Sequence, residues 1–238
     1  MEKVGSLFDD YVIILYFDKS KDDSLLKLKQ YKANQIHQVD LYVNCGKRFK
    51  YRTHNIAKAR NGILKRIREK YADFQYFVMM DCDDMCSRDI HLDVLKKNLG
   101  REDWDALSFN HPTGYYDLWA LSIEPFVFSF FQYNNKTLIV NYITDLIRKT
   151  PKEDLIPCFS AFNGFAIYRT PLFLSGFYDG RFRTDYIPSA MLAKQYQLSE
   201  GFDMESTQHE DCEHRHFHFQ AVFGKEAKIR ISPECLFV

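Results

Sequence analysis

The chain carries no net charge, no paired cysteine motif and no long unbroken apolar run. Its 32 Lys and Arg are balanced by 32 Asp and Glu. A neutral protein has no general attraction to nucleic acid or to anionic membranes, although a local basic cluster can still bind a phosphate group. Cys45, Cys82, Cys86, Cys158, Cys212 and Cys235 form no C-x-x-C pair and no zinc-type spacing. Reduced thiols fit better than a disulfide framework. Met1 to Asp10 lacks a basic flank followed by an apolar core, so no secretory signal is expected, and the expected location is cytoplasmic. The apolar stretch Leu118 to Phe131 is interrupted by Glu124 and Pro125, which makes it too short and too broken to span a bilayer. No repeat or low-complexity segment is visible.

What is present is a normal globular balance, with 46% hydrophobic and 27% charged residues over a length that suits one domain, 1–238. Aromatic residues are abundant; most are expected in the core, and some suit stacking on sugars or bases. Tyr11 to Phe17 reads as a first strand. Asp22 or Asp23 caps a helix to about Asn34, and Val39 to Val43 reads as a second strand. Together they predict a βαβ unit and a parallel sheet. A basic loop, Lys47 to Arg52, leads into a helix running to about Tyr71. Ile56, Ala59, Ile63, Ile67 and Tyr71 recur at helical spacing, which predicts its buried stripe. Gly62 in that helix costs roughly 1 kcal/mol relative to Ala, which implies close packing or close approach of a ligand. Arg60 reads equally as a diphosphate ligand, for which a planar guanidinium is suited, or as an ion-pairing arginine.

Gln75 to Met85 stands out. An apolar run ends abruptly in Asp81, Asp83 and Asp84. The run reads as a buried central strand, and carboxylates cannot stay buried and ionised without a cation or a hydrogen-bonded partner. A strand surfacing at its C-terminal end, with its acids on Mg²⁺ or Mn²⁺ and a substrate phosphate, satisfies both demands. The competing reading of an isolated D-x-D is a polar turn or helix cap. Farther on, Leu92, Leu95 and Leu99 mark a helix closed by Gly100, and Trp104 to Phe109 a strand. Tyr115 to Leu121 reads as a strand or extended segment with one acid, Asp117, among aromatics: a mixture that suits a sugar site or an aromatic core. Lys136 to Thr150 is helical in pattern, and Asn163-Gly164 marks a turn before a short strand. His209 to Phe219 is dense in acids and histidines. If extended, it would place His214, His216 and His218 on one face. One histidine reaching the metal held by Asp81 and Asp83 is the economical functional reading, and a polar edge strand the plain one.

Five pieces, in this order, resemble nucleotide-sugar glycosyltransferases of the GT-A fold, especially small soluble ones of large DNA viruses and microbial polysaccharide pathways. They are Ala59-Arg60-Asn61, Met80-Asp81-Cys82-Asp83, Tyr115 to Leu121, Asn163 to Tyr168, and Asp211 to His214 followed by Phe217-His218. The resemblance implies a single Rossmann-like α/β domain with a mostly parallel central sheet flanked by helices. Residues 1–110 would form the nucleotide-binding half and 111–238 the donor-sugar and acceptor half. Tyr16, Phe17 and Asp18 would hold the base, and Arg60 the nucleotide or diphosphate. Asp81, with Cys82 beside it, would touch the ribose or metal-bound water, and Asp83 would ligate Mn²⁺ or Mg²⁺. Asp117, Trp119, Asn163 and Gly164 would line the sugar, and His214 or His218 would complete the metal shell. A catalytic acid would come from Glu210, Asp211 or Glu213, with Asp211 first and Glu213 second as the general base of an inverting reaction. The implied partners are a nucleoside-diphosphate sugar, UDP by default, and a glycan or other hydroxyl acceptor. Nucleic acid is not among them. If the chain is virus-encoded, it would act in a host cytoplasm. Two other functions compete: a haloacid-dehalogenase-type phosphohydrolase using the first Asp as nucleophile, and a non-catalytic nucleotide-sugar-binding protein.

Overall fold

The computed structural model describes residues 1–199, 202 and 209–238. In chain order the elements are α1 (Glu2–Gly5), β1 (Ile13–Phe17), α2 (Ser24–Asn34), β2 (Val39–Val43), α3 (Arg52–Lys70), β3 (Tyr76–Met80), α4 (Leu92–Leu99), β4 (Ala106–Asn110), α5 (Lys136–Lys149), β5 (Ile156–Cys158), β6 (Phe165–Arg169), α6 (Thr170–Phe173), α7 (Ser189–Leu198), α8 (Glu213–Lys225) and β7 (Ile229–Cys235). The expected βαβ unit forms: β1 and β2 pair in parallel, with Ile13 opposite Val39 and Phe17 opposite Val43. Among the described residues it stands as a two-stranded sheet of its own.

The larger sheet has the order β3-β6-β4-β7-β5. Only β4 and β7 pair in parallel, while β3–β6, β4–β6 and β5–β7 are antiparallel. The fold is therefore α/β with a mixed sheet, not the mostly parallel one expected. The reason lies in the Asn163-Gly164 turn, where φ is +55° and +82°. That turn reverses the chain and inserts β6 between β3 and β4. β6 and β4 lie inside the sheet, and in each strand four of the five residues are buried. Ala166 and Tyr168 enter one core cluster, and Phe165 and Ile167 the other.

β3, expected at the centre, is an edge of this sheet. Its apolar run is continuous because both faces are covered: Phe77 and Met79 enter the larger core, and Tyr76, Val78 and Met80 pack on the second. A cavity of about 370 Å³, lined by residues including Ile13, Leu15, Ile63, Phe77 and Met79, lies between β1 and β3. The larger core cluster runs from Ala57 to Ile231 and so draws on both halves of the chain.

Two helices differ from expectation in ways that shape the site. The buried stripe of α3 is Thr53, Ala57, Arg60, Leu64 and Ile67; Ile67 is as predicted and Ile63 and Tyr71 pack at its margin, while Ala57 and Arg60 replace Ile56 and Ala59. The register is set by Arg60, which the fold takes inward. Gly62 does mark close packing: a Cβ there would sit 3.2 Å from the Tyr16 ring. The acid- and histidine-rich segment is helical from Glu213 onward rather than extended. Every residue from Glu213 to Ala221 is buried. On a helix, His214 and His218 share a face and His216 does not.

Candidate active site

The Asn163-Gly164 turn positions two carboxylates at once. The Gly164 carbonyl accepts from the Asp81 amide at 2.9 Å, which fixes the exit of β3. The same carbonyl accepts from Cys86 Sγ at 3.2 Å. Asn163 Oδ1 accepts from the amides of Tyr116 and Asp117, both at 3.1 Å, while its Nδ2 donates to the Phe109 carbonyl at 2.9 Å. Asn163 is therefore fully engaged with backbone. It clips the Tyr116-Asp117 loop to the end of β4. The left-handed backbone at both positions suits Asn and Gly, and a Cβ at Gly164 would collide with the Tyr116 hydroxyl.

Arg60 joins these loops to α8. Its Nε donates to Glu213 Oε1 and its Nη2 to Asp81 Oδ1, each at 2.8 Å. The guanidinium lies 4.6 Å from the Phe162 ring centroid and 5.9 Å from that of Tyr178. Burial works against its charge, but Glu213 and Asp81 outweigh burial and raise its pKa. Of the two sequence readings of Arg60, the ion-pairing one describes this arrangement; the side chain is enclosed rather than held out to a diphosphate. Asn61 beside it exchanges two 2.8 Å hydrogen bonds with the Tyr178 backbone, which anchors that ring over Arg60.

Asp117 lies in the same electrostatic group as Asp81, Glu213 and Arg60. Its carboxyl accepts from the Ala120 amide at 3.3 Å and, among the described residues, has no ion-pair partner. Burial pushes its pKa up to about 7, Glu213 and Asp81 add to the rise, and the Ala120 amide and Arg60 oppose it. Asp81 is the open member, with 41% of its side chain exposed. Asp83 and Cys82 are exposed beside it, and Asp83 Oδ1 accepts from the Met85 amide at 3.1 Å.

The other expected residues take mixed roles. Asp211 is buried; it accepts from Arg215 Nε at 2.9 Å and from the Cys212 amide at 2.8 Å, and it has the Trp119 side chain as a further hydrogen-bond partner. Both acids first expected to serve as a base, Asp211 and Glu213, are thus bound to buried guanidiniums. Glu210 is not at this centre; it accepts from the Thr53 amide at 3.0 Å and caps the start of α3. His218 is a core residue: its Nδ1 bonds Ser160 Oγ at 2.9 Å and its Nε2 the Tyr168 hydroxyl at 3.0 Å. Both nitrogens are occupied, so His218 does not fit a metal shell. His214 is also buried, stacked on Phe162 at 3.8 Å. Among the described residues neither of its ring nitrogens has a hydrogen-bond partner, and Nε2 lies 3.5 Å from Glu213 Oε1. Burial, with Arg60 adding to it, keeps this imidazole neutral.

No known protein family, characterised protein or solved structure matches this chain. The site is therefore read from its own geometry.

Tyr16 and Phe17 end β1, and Asp18 follows them. Asp18 accepts from Asn44 Nδ2 at 2.8 Å and from Arg48 Nε at 2.6 Å. Among the described residues no set of three or more His, Cys, Asp or Glu side chains is gathered as a metal shell. The four expected ligands are not brought together. What fits a divalent cation is the exposed edge of the Asp81 and Asp83 pair, since Mg²⁺ commonly takes one or two carboxylates and completes its shell with water and substrate phosphate. Sequence reasoning missed Phe162, Tyr178 and Arg215. The first sits next to the noted Asn163-Gly164 turn, but nothing local marks the other two as partners of Arg60 and Asp211.

Proposed function

We propose that the chain is a metal-dependent glycosyltransferase that moves a sugar from a nucleoside-diphosphate sugar, UDP by default, to a glycan or other hydroxyl acceptor. One observation carries this reading. Asp81 and Glu213 come from distant segments and both bond Arg60 at the C-terminal end of β3, with Asp117 from a third segment close enough to feel their charges, where α/β folds commonly place ligands. Asp81 and Asp83 would hold the cation, which when bound would offset the charge growing on the departing diphosphate. Arg60 acts from behind: its two charged hydrogen bonds fix Asp81 and Glu213 in place. Trp119, half-buried and two residues along the chain from Asp117, would supply an aromatic face for the sugar. If the transfer inverts configuration, Asp117 is the acid of this group left without a basic partner and so able to take the acceptor proton.

The phosphohydrolase reading asks Asp81 to be a free nucleophile. Here one of its oxygens accepts from a buried guanidinium, which disfavours that role.

The test is a thermal-shift screen of UDP- and GDP-sugars with and without Mn²⁺, followed by assays for nucleotide release and for phosphate release from p-nitrophenyl phosphate. A nucleotide sugar should raise the melting temperature only with Mn²⁺. Asp83→Ala should abolish that rise while changing the stability of the free protein by less than about 0.5 kcal/mol. A rise retained in Asp83→Ala, or hydrolysis of the phosphate ester with no response to any nucleotide sugar, would sink the proposal.

A further inference from the structure

The loop between β2 and α3 has a composition that neither the core nor the carboxylate centre uses. Lys47, Arg48, Phe49 and Lys50 are all exposed, as is Arg52, the first residue of α3. Arg48 is paired with Asp18 at 2.6 Å. Among the described residues Lys47, Lys50 and Arg52 take part in no ion pair. Lys19 adjoins them, since its carbonyl accepts from Arg48 Nη2 at 3.1 Å. This puts free cations at the start of a helix, the end where positive charge is unfavourable. Local stability does not account for that choice.

The loop is also held rigidly. Asn55 Oδ1 accepts from the Phe49 amide at 2.8 Å, and Asn55 Nδ2 donates to the carbonyls of Phe49 at 2.9 Å and Tyr51 at 2.7 Å. Lys58 supports it from below, donating to Asn44 Oδ1 at 3.2 Å and lying 5.8 Å from the Phe49 ring. The effect is to hold Phe49 out, 54% exposed, with Val43 at the end of β2 42% exposed. An aromatic ring kept in water by its own scaffold, on a loop with exposed cations that take part in no ion pair among the described residues, calls for a partner that is anionic at its surface and apolar beneath.

We propose that the Lys47–Arg52 loop docks the protein onto an anionic phospholipid surface, with Phe49 entering the boundary between headgroups and acyl chains and Lys47, Lys50 and Arg52 facing the headgroup charge. The neutral net charge of the whole chain does not oppose this, because such attraction acts within about a Debye length, roughly 10 Å at ordinary salt. The proposal does not rest on glycosyl transfer.

The experiment is sedimentation of the full chain with vesicles of pure phosphatidylcholine and with vesicles containing about one-third phosphatidylserine, at low and high salt. Binding is expected only to the anionic vesicles, and added salt should weaken it. Lys47→Glu with Lys50→Glu should lower the partition coefficient by about tenfold or more. Phe49→Ala should also weaken binding, and Phe49→Trp should show a blue-shifted emission on anionic vesicles alone. Asn55→Ala keeps every charge and the ring but unpins the loop, so an intermediate loss is expected. These variants leave the Arg60 centre intact, and circular dichroism checks that each is folded. Equal sedimentation with both vesicle types, no sedimentation with either, an unshifted Phe49→Trp emission, or a loop that binds free diphosphate or RNA in preference to vesicles would overturn the proposal.

Discussion

Two buried arginines flank the start of α8, and they do different work. Arg215 pairs with Asp211 and donates to the carbonyls of Leu121 and Val127 and to Ser122 Oγ. Every group it touches is internal, and the network is closed. Arg60 pairs with Glu213 on one side, but on the other it holds Asp81, whose side chain reaches solvent. The Arg215 network can only stitch the loop at 118–127 to the helix. The Arg60 network can also present charge to something outside. Which buried ion pair is structural and which is available for chemistry is decided by whether one partner remains in contact with water.

The sharpest way to break this comparison is to remove each cation in turn. Arg215→Met should cost about 3–5 kcal/mol in a urea melt, because it leaves a buried carboxylate and several backbone acceptors unpaired. Arg60→Met also strands the buried Glu213 carboxylate, but Asp81 can rehydrate and no backbone carbonyl among the described residues loses a donor, so it should cost less than Arg215→Met. Equal losses would erase the distinction. Next in size is Gly164→Ala, which forces a side chain into a left-handed backbone and against Tyr116. A loss of about 2–3 kcal/mol is expected, together with loss of any activity, since Asp81 and Asp117 both hang on this turn.

Acid should weaken the helix that carries both networks. Burial pushes His216 down to about 4 and His218 down to about 3. Between those values and the ordinary histidine range near 6.5, the unfolded chain binds more protons than the native one, so stability falls as pH drops through that window. His216→Phe should flatten part of this slope, an effect of about 2 kcal/mol near pH 4.

The smallest effect has the opposite sign. Asp117 has its pKa raised to about 7, so the native state binds more protons than the unfolded one between the usual carboxylate range and that value. Stability is lost as pH rises through the window. Asp117→Asn should therefore be more stable than the parent at pH 8 in chelator-treated buffer, by about 1–2 kcal/mol after relaxation, while any transferase activity falls. A destabilised Asp117→Asn would mean that its carboxylate is needed for folding.

Much of the local structure was legible. The βαβ unit, α4 with Gly100 behind it, α5 and the Asn163-Gly164 turn follow from short-range periodicity and turn chemistry. The edge position of β3 was not legible, because an apolar run records that both faces are covered and not which strand lies alongside. His209 to Phe219 misled because alternation and helical spacing both accommodate histidines at 214 and 218. Its true neighbours, Ser160, Tyr168 and Phe162, lie about 50 residues away in the chain and left no mark in the segment itself.

By itself the sequence determined where chemistry could be: acids that follow an apolar strand, a Gly that admits close packing, a turn that needs left-handed backbone. These are properties of a few neighbouring residues and their solvation. Only the tertiary structure decided the partners. Arg60 belongs to Asp81 and Glu213, Arg215 to Asp211, and Asp117 to no base among the described residues, because pairing depends on which charges are brought together out of water, and that is set by segments the chain separates by up to 153 positions.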